Sequence, residues 1–187
     1  MGMGLILILV IVIGAAVLVA ATYNSLVQLR VRADNAWSDI DVQLKRRHDL
    51  IPNLVETVKG YAAHEKGTFE NVTKFRSMAM QATGPAERAQ AENQLTGALK
   101  SLFAVAEQYP QLQASGQFQS LQNSLNELEN ALQESRRYYN AVVRDYNTAL
   151  ETFPSSLVAT LGAFRAHPFF QLDQPAERRP PHVSFGR

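Results

Sequence analysis

The chain contains no cysteine among its 187 residues. That absence excludes disulfide bonds, thiolate metal ligands, a cysteine nucleophile and the lipidated cysteine of a bacterial lipoprotein. An excess of one charge is missing too, because 18 Lys and Arg face 17 Asp and Glu, for a formal net charge of +1. A balanced charge gives no reason to expect a nucleic acid partner, and we predict none.

Motifs for catalysis and nucleotide binding are also absent. The chain has no Gly-x-Ser-x-Gly, P-loop or Gly-x-Gly-x-x-Gly pattern. His64-Glu65 begins like a zinc-peptidase motif, but Thr68 stands where the second histidine belongs. None of the four histidines has a glutamate three residues before it, as di-iron bundles require. We therefore predict no enzymatic activity, no catalytic residue, no cofactor and no metal ligand.

What the sequence does contain is an uncharged apolar run over residues 5–21. As a helix this run spans about 26 Å, close to the ~30 Å hydrocarbon core of a bilayer. A cleaved signal peptide is the alternative, since Val19-Ala20-Ala21 resembles a weak cleavage site, but no basic residue precedes the run. We predict a retained transmembrane anchor made of Leu5, Ile6, Leu7, Ile8, Leu9, Val10, Ile11, Val12, Ile13, Gly14, Ala15, Ala16, Val17, Leu18, Val19, Ala20 and Ala21.

The charges around the run indicate a membrane orientation. Arg30 and Arg32 follow the run closely, and no Lys or Arg precedes it. The positive-inside rule therefore favours an N-terminus outside and a following domain in the cytoplasm. Lys45-Arg46-Arg47 could contact anionic lipid, but these residues begin about 35 Å beyond the run along a straight helix. Because the Debye length is only about 8 Å, such contact would require the helix to bend back.

Residues 26–62 carry an apolar stripe with the period of a straight α-helix, and the stripe includes Arg30 and His48. No glycine or proline separates it from the anchor, so we predict one continuous helix. Pro52 removes the main-chain hydrogen bond to the carbonyl of His48 and predicts a kink, or a break with Asp49 as a new N-cap. For His48 we favour a hydrogen-bonded interior residue, and for Asp34, Asp39 and Asp41 a solvated face.

Further helices are predicted over residues 68–82 and 85–108, the latter opening with Pro85 in its first turn. Residues 118–153 then show apolar positions spaced alternately by three and four, the pattern of a coiled-coil seam. Such a long helix must bury its seam on other helices, and Arg136-Arg137 beside it is expected to stack or form salt bridges within the bundle. The predicted bundle seam comprises Trp37, Ile40, Leu44, Ile51, Val55, Phe118, Leu121, Leu125, Leu128, Leu132, Tyr139, Val142 and Tyr146.

These patterns predict an all-α fold in which a transmembrane helix continues into an elongated antiparallel helical bundle with coiled-coil-like packing. The predicted domains are an anchor over residues 1–22, a helical bundle over residues 23–165, and an extended or disordered tail over residues 166–187. The tail is predicted from the proline-rich stretch that begins at Gln174.

Two blocks of sequence resemble the signature of the LemA family. The first comprises residues 23–27 and 36–61, and the second includes Tyr109-Pro110, Arg136-Arg137-Tyr138-Tyr139-Asn140, Asp145-Tyr146-Asn147 and Phe153-Pro154. The resemblance covers nearly the whole chain, with His48 standing where tyrosine is usual. It implies a single-pass protein of the bacterial plasma membrane with an elongated antiparallel bundle. The family has no established enzymatic activity, so no catalytic residue is carried over.

We predict a membrane-anchored scaffold or adaptor of the bacterial cell envelope that acts through protein–protein contacts or self-association. Its expected partners are the lipid bilayer, proteins whose identity the sequence does not indicate, and other copies of the chain, for which Ala16 and Ala20 form a weak small-xxx-small pair. One alternative is an accessory subunit of an envelope enzyme such as a membrane peptidase, with His48, His64 and Asp41 as the residues to test. Another is a signal-relaying helical stalk.

Overall fold

The computed structural model describes residues 2–171. All regular structure in this range is helical, and no β-strand occurs in it, which confirms the all-α prediction. The predicted tail lies largely outside the described residues, since residues 172–187 are not among them. The helices are α1 Gly2–Lys59, α2 Lys66–Gln81, α3 Gly84–Ala106, α4 Pro110–Gln113, α5 Gly116–Glu151 and α6 Ser155–Leu161.

Helix α1 joins the apolar run and the amphipathic stripe in one element of 58 residues, as predicted. It continues through Pro52, so the alternative of a break at Asp49 is wrong. Every side chain of the apolar run is exposed, and α1 is long and apolar enough to cross a membrane. A helix that leaves only apolar side chains exposed over this length is consistent with membrane anchoring.

The sequence patterns did not predict the two shortest helices. Helix α4 is a single turn that begins at Pro110, and α6 has seven residues. Elements this short hold too few turns for an apolar period to show. The entry into α3 depends on its first residue, Gly84, whose φ of +75° lies in the left-handed region that glycine adopts readily.

The described residues form two compact units. Unit 1 comprises residues 2–44 and 128–169, and unit 2 comprises residues 45–127 with 170–171. Helices α1 and α5 each contribute residues to both units. The predicted domain boundaries at residues 22 and 165 stay predictions.

In unit 1, α1 and α5 run antiparallel. The rings of Trp37 and Tyr139 lie 5.5 Å apart, whereas Ala149 packs against a cluster containing Leu26. Residue numbers therefore rise along one helix as they fall along the other. Among the predicted seam positions of this unit, Trp37 and Leu128 are half-buried, and the buried ones are Ile40, Leu44, Leu132, Tyr139, Val142 and Tyr146.

The seam ends earlier than its spacing indicates. Phe153 continues the three-four pattern, yet 77% of its surface is exposed, because α5 ends at Glu151. Past α6, the chain returns over unit 1 without forming a helix. There Asn147 accepts a hydrogen bond from the main-chain N–H of His167 and donates one to its carbonyl, both at 2.9 Å.

Unit 2 has its own apolar core, formed by α1, α2, α3, α4 and the start of α5. The seam residues Ile51, Val55, Phe118 and Leu125 belong to this core, and Leu121 packs against it. Other fully buried members are Val58, Val72, Ala79, Leu95, Leu102 and Leu112.

Candidate functional site

A buried polar cluster inside unit 2 is the strongest concentration of charge in the described core. Glu92 of α3 has none of its surface exposed, and Arg47 and His48 of α1 expose 2% and 5%. Charged side chains are almost never buried to this degree unless they are paired. The cluster is therefore the candidate site of chemistry in the described core.

Both oxygens of the Glu92 carboxylate accept short hydrogen bonds. Arg47 donates from Nη1 to Oε2 at 2.7 Å, and the ring of His48 lies with Nε2 2.6 Å from Oε1, where the Nε2-protonated tautomer donates. Arg47 also donates from Nη2 to the Thr96 hydroxyl at 2.9 Å. The carboxylate is thus charge-compensated and held from two sides.

Helix geometry explains how two consecutive residues reach one carboxylate. Arg47 and His48 are separated by about 100° around α1, so they flank a group that faces the helix between them. Glu92 and Thr96 are four residues apart on α3 and therefore share one face. The result is a polar clamp between α1 and α3 within unit 2.

The same part of α1 is joined to α2. Arg76 of α2 donates from Nε to the main-chain carbonyl oxygen of His48 at 2.7 Å. Three helices of unit 2 thus meet at residues 47–48 through directional bonds, in addition to their apolar contacts.

The arrangement is suited to holding helices and poorly suited to binding a ligand. A catalytic carboxylate or histidine needs room for substrate beside it, whereas these groups are enclosed and already bonded to each other. Within residues 2–171 no group of three or more His, Cys, Asp or Glu side chains is arranged to hold a metal ion.

The residues that the sequence singled out differ in their surroundings. The interpretation of His48 as a hydrogen-bonded interior residue is confirmed. His64 and Asp41 are exposed and lie in different units. Of the basic triplet, Lys45 and Arg46 are exposed and Arg47 belongs to the clamp, so the triplet is not one surface patch.

Sequence reasoning missed Glu92, although a signal was present. Glu92 lies three residues before Leu95 and seven before Leu99, on the apolar face that predicted α3. A carboxylate in line with buried leucines indicates a buried partner of opposite charge. Which cation supplied it could not be predicted from spacing along α3.

A second set of titratable groups lies in unit 1. Burial raises the pKa of Tyr139 to about 12, with Asp34 adding to the effect, and burial also raises the pKa of Tyr146. Tyr146 packs edge-on against the ring of His167, which lies 3.0 Å from an Asp34 carboxylate oxygen. Both tyrosines are therefore neutral near pH 7 and serve packing.

Comparison with known proteins gives a consistent result. A family model described as the LemA family matches residues 36–185. Magnetosome protein MamQ 2 of Paramagnetospirillum magneticum is 27% identical over an alignment of 184 residues that covers 84% of this chain and 67% of the relative. Magnetosome protein MamQ of Magnetospirillum gryphiswaldense is 26% identical with the same coverage. Protein LemA of Metamycoplasma hominis is 28% identical over 140 residues, covering 73% of this chain and 63% of the relative. Since the family model spans well over half of the sequence, the chain belongs to the LemA family of membrane-associated proteins.

Proposed function

We propose that this protein is a non-enzymatic, single-pass scaffold or adaptor of the bacterial cell envelope, which binds other proteins or other copies of itself. The observation that supports it most directly is the continuity of α1. This one helix carries the exposed apolar run and then supplies buried side chains to both packed units. A membrane anchor built into the core ties a rigid helical surface to the bilayer.

The character of the polar interior supports a binding role over catalysis. The clamp around Glu92 uses its charged groups to join helices, which leaves them bonded and enclosed. Outside the anchor, large apolar side chains are exposed on several helices, among them Val42, Met80 and Tyr138. Exposed apolar and aromatic side chains of this kind are suited to protein contacts.

Photo-crosslinking in cells tests the binding role. We would place a photoreactive residue at Met80 or Tyr138, with the exposed Glu70 as a polar control. The proposal predicts discrete adducts of reproducible mass from Met80 or Tyr138, either at twice the mass of the chain or with a defined second protein. A strict monomer in mild detergent, with no adduct from either position, would contradict it.

We propose the bacterial plasma membrane as the location, with the N-terminus outside and the helical domain in the cytoplasm. Arg30 and Arg32, which follow the apolar run, support this orientation. A C-terminal tag should then resist protease in intact cells and become cleavable once the cells are opened. Cleavage in cells whose inner membrane is intact would assign the opposite orientation.

An accessory role in an envelope enzyme is the alternative, with His48, His64 and Asp41 as its candidates. Exchange of each to alanine tests it, provided that unfolding is measured alongside. His48→Ala is expected to destabilise unit 2, because the carboxylate of Glu92 loses a donor. Loss of the cellular phenotype from His64→Ala or Asp41→Ala in a fully folded protein would favour the enzymatic role.

A signal-relaying stalk is favoured by the same continuity of α1 past the apolar run. Insertion of a helix-interrupting Gly-Pro pair beside Arg32 distinguishes a signal-relaying stalk from a scaffold. A stalk requires an unbroken helix, so output would be lost while the protein remains folded and membrane-bound. A scaffold would keep its crosslinked partners.

A further inference from the structure

Helix α6 and the turn before it expose large apolar side chains in one place. Phe153 is 77% exposed, Leu157 59% and Leu161 86%. Leu157 and Leu161 are four residues apart and so share a face of α6, and Phe153 lies in the preceding turn. A group of exposed apolar residues on a folded unit marks a surface for contact with a membrane or with another protein.

The opposite face fixes α6 to the start of the packed part of α1. Val158 and Ala159 are buried in a cluster with Leu26. The ring of Phe164, just after α6, packs edge-on against Tyr23 with ring centres 5.5 Å apart, and the guanidinium of Arg30 lies 5.5 Å from the same ring. All these contacts lie within unit 1.

The antiparallel register sets the level of this face along α1. Tyr139 of α5 lies beside Trp37 of α1. From Tyr139, α5 continues for about 18 Å to its end at Glu151. Because the two helices are antiparallel, that end lies beside about residue 25 of α1. The turn that carries Phe153 follows directly. It therefore lies beside the point at which α1 leaves its apolar run after Ala21.

We propose that α6 is an interfacial helix whose apolar face, formed by Phe153, Leu157 and Leu161, inserts into the headgroup region of the bilayer that α1 spans. The occupant is lipid, because the face adjoins the exit of the anchor and Tyr23 marks the interface there. Arg30, whose guanidinium lies against the Phe164 ring, and Arg165, which follows that ring in the chain, are both exposed and can contact lipid phosphates. This inference rests on anchoring by α1 and holds for either orientation.

A second attachment would restrict how unit 1 sits on the membrane. A single helix crossing a bilayer leaves the following structure free to tilt and rotate. With α6 inserted as well, unit 1 is attached to the bilayer at two places, so its polar surfaces are presented in one orientation. A scaffold gains from that restriction, because its partners meet a surface of defined direction.

Spin labelling of the full chain in lipid vesicles tests this proposal, and the absence of cysteine allows single labels without background changes. Labels would replace Phe153, Leu157 and Leu161, each as a separate cysteine variant. Val12→Cys in the apolar run is the lipid control. Glu134→Cys is the water control, since Glu134 is exposed on α5 in unit 1 but lies at about the level of residue 42 of α1, roughly 30 Å from the end of the run. The readout is relaxation by oxygen, which concentrates in lipid, against relaxation by a water-soluble nickel chelate.

The proposal predicts that the ratio of oxygen to nickel accessibility at Phe153, Leu157 and Leu161 is several-fold above the ratio at Glu134. It should approach the ratio at Val12. A ratio equal to that at Glu134, with Val12 still in lipid, overturns this inference alone. Protection from both reagents shows a protein cover, and dipolar broadening shows a second copy on the face; either result also overturns it. A water-exposed Val12 label would refute the anchor and this inference together.

Discussion

Arg76 donates a hydrogen bond from Nε to the main-chain carbonyl oxygen of His48 at 2.7 Å. This carbonyl stands four residues before Pro52, which has no N–H, so α1 cannot provide the donor that a regular helix would. A side chain from α2 thus replaces the main-chain bond that Pro52 removes. The replacement accounts for a helix that runs on to Lys59 in spite of an internal proline.

Arg76→Met should lower the free energy of unfolding by about 1–2 kcal/mol, because it leaves the His48 carbonyl without a donor. In a Pro52→Ala background the main-chain N–H returns, so the cost of Arg76→Met should fall by about 1 kcal/mol. Urea unfolding of the detergent-solubilised chain, followed by circular dichroism, measures both. Lys66→Met, an exposed change on α2, is the control. Equal costs in the two backgrounds would show that Arg76 acts by other contacts.

Glu92→Gln should destabilise the protein by about 3 kcal/mol or more, because Arg47 then remains buried without its counter-charge. The joint change of Arg47→Met, His48→Leu and Glu92→Leu should recover most of the loss, since no buried charge is then left unpaired. Glu70→Gln, at an exposed site on α2, should change stability by no more than about 0.5 kcal/mol. A triple variant as unstable as Glu92→Gln would mean that the clamp contributes net stability beyond mutual compensation.

Tyr139 and Tyr146 form a matched pair, since both rings are buried in unit 1. The Tyr139 hydroxyl donates to the carbonyl of Pro168 at 2.8 Å, whereas the Tyr146 hydroxyl has no hydrogen-bond partner among the described residues. Tyr139→Phe should therefore cost about 1 kcal/mol, and Tyr146→Phe should be neutral or stabilising. The same unfolding measurement compares them, and equal costs would refute this account of the two hydroxyls.

Stability should decline in alkaline solution through these buried tyrosines. The folded-state pKa of Tyr139 is raised to about 12, whereas an unfolded tyrosine ionises near pH 10. The stability that neutral, buried Tyr139 contributes is therefore fully present below about pH 10. It is lost as the pH rises toward 12, because the tyrosine of the unfolded chain releases its proton first. Tyr139→Phe should flatten the fall of the unfolding midpoint over that range relative to the parent. Tyr138→Phe, at an exposed ring, is the control, and an equal flattening from it would contradict the assignment.

The long elements of this fold could be predicted because helix formation is local. Main-chain bonds between residues four apart impose a period that the apolar side chains of α1, α3 and α5 display directly. The period predicts burial only within a helix. Phe153 fits the spacing but lies beyond the end of α5, and its side chain is therefore exposed. Helices α4 and α6 were too short to show any period.

The sequence by itself therefore determined the apolar run, the three long helices, the family, and even that Pro52 would leave the carbonyl of His48 without its main-chain donor. Only the tertiary structure decided that Arg76 would supply a donor, that Glu92 would meet Arg47 and His48, and that α6 would turn its apolar face outward beside the end of the run. The reason is distance along the chain. Arg47 and Glu92 are 45 residues apart, and their contact depends on how helices pack, which no local period records.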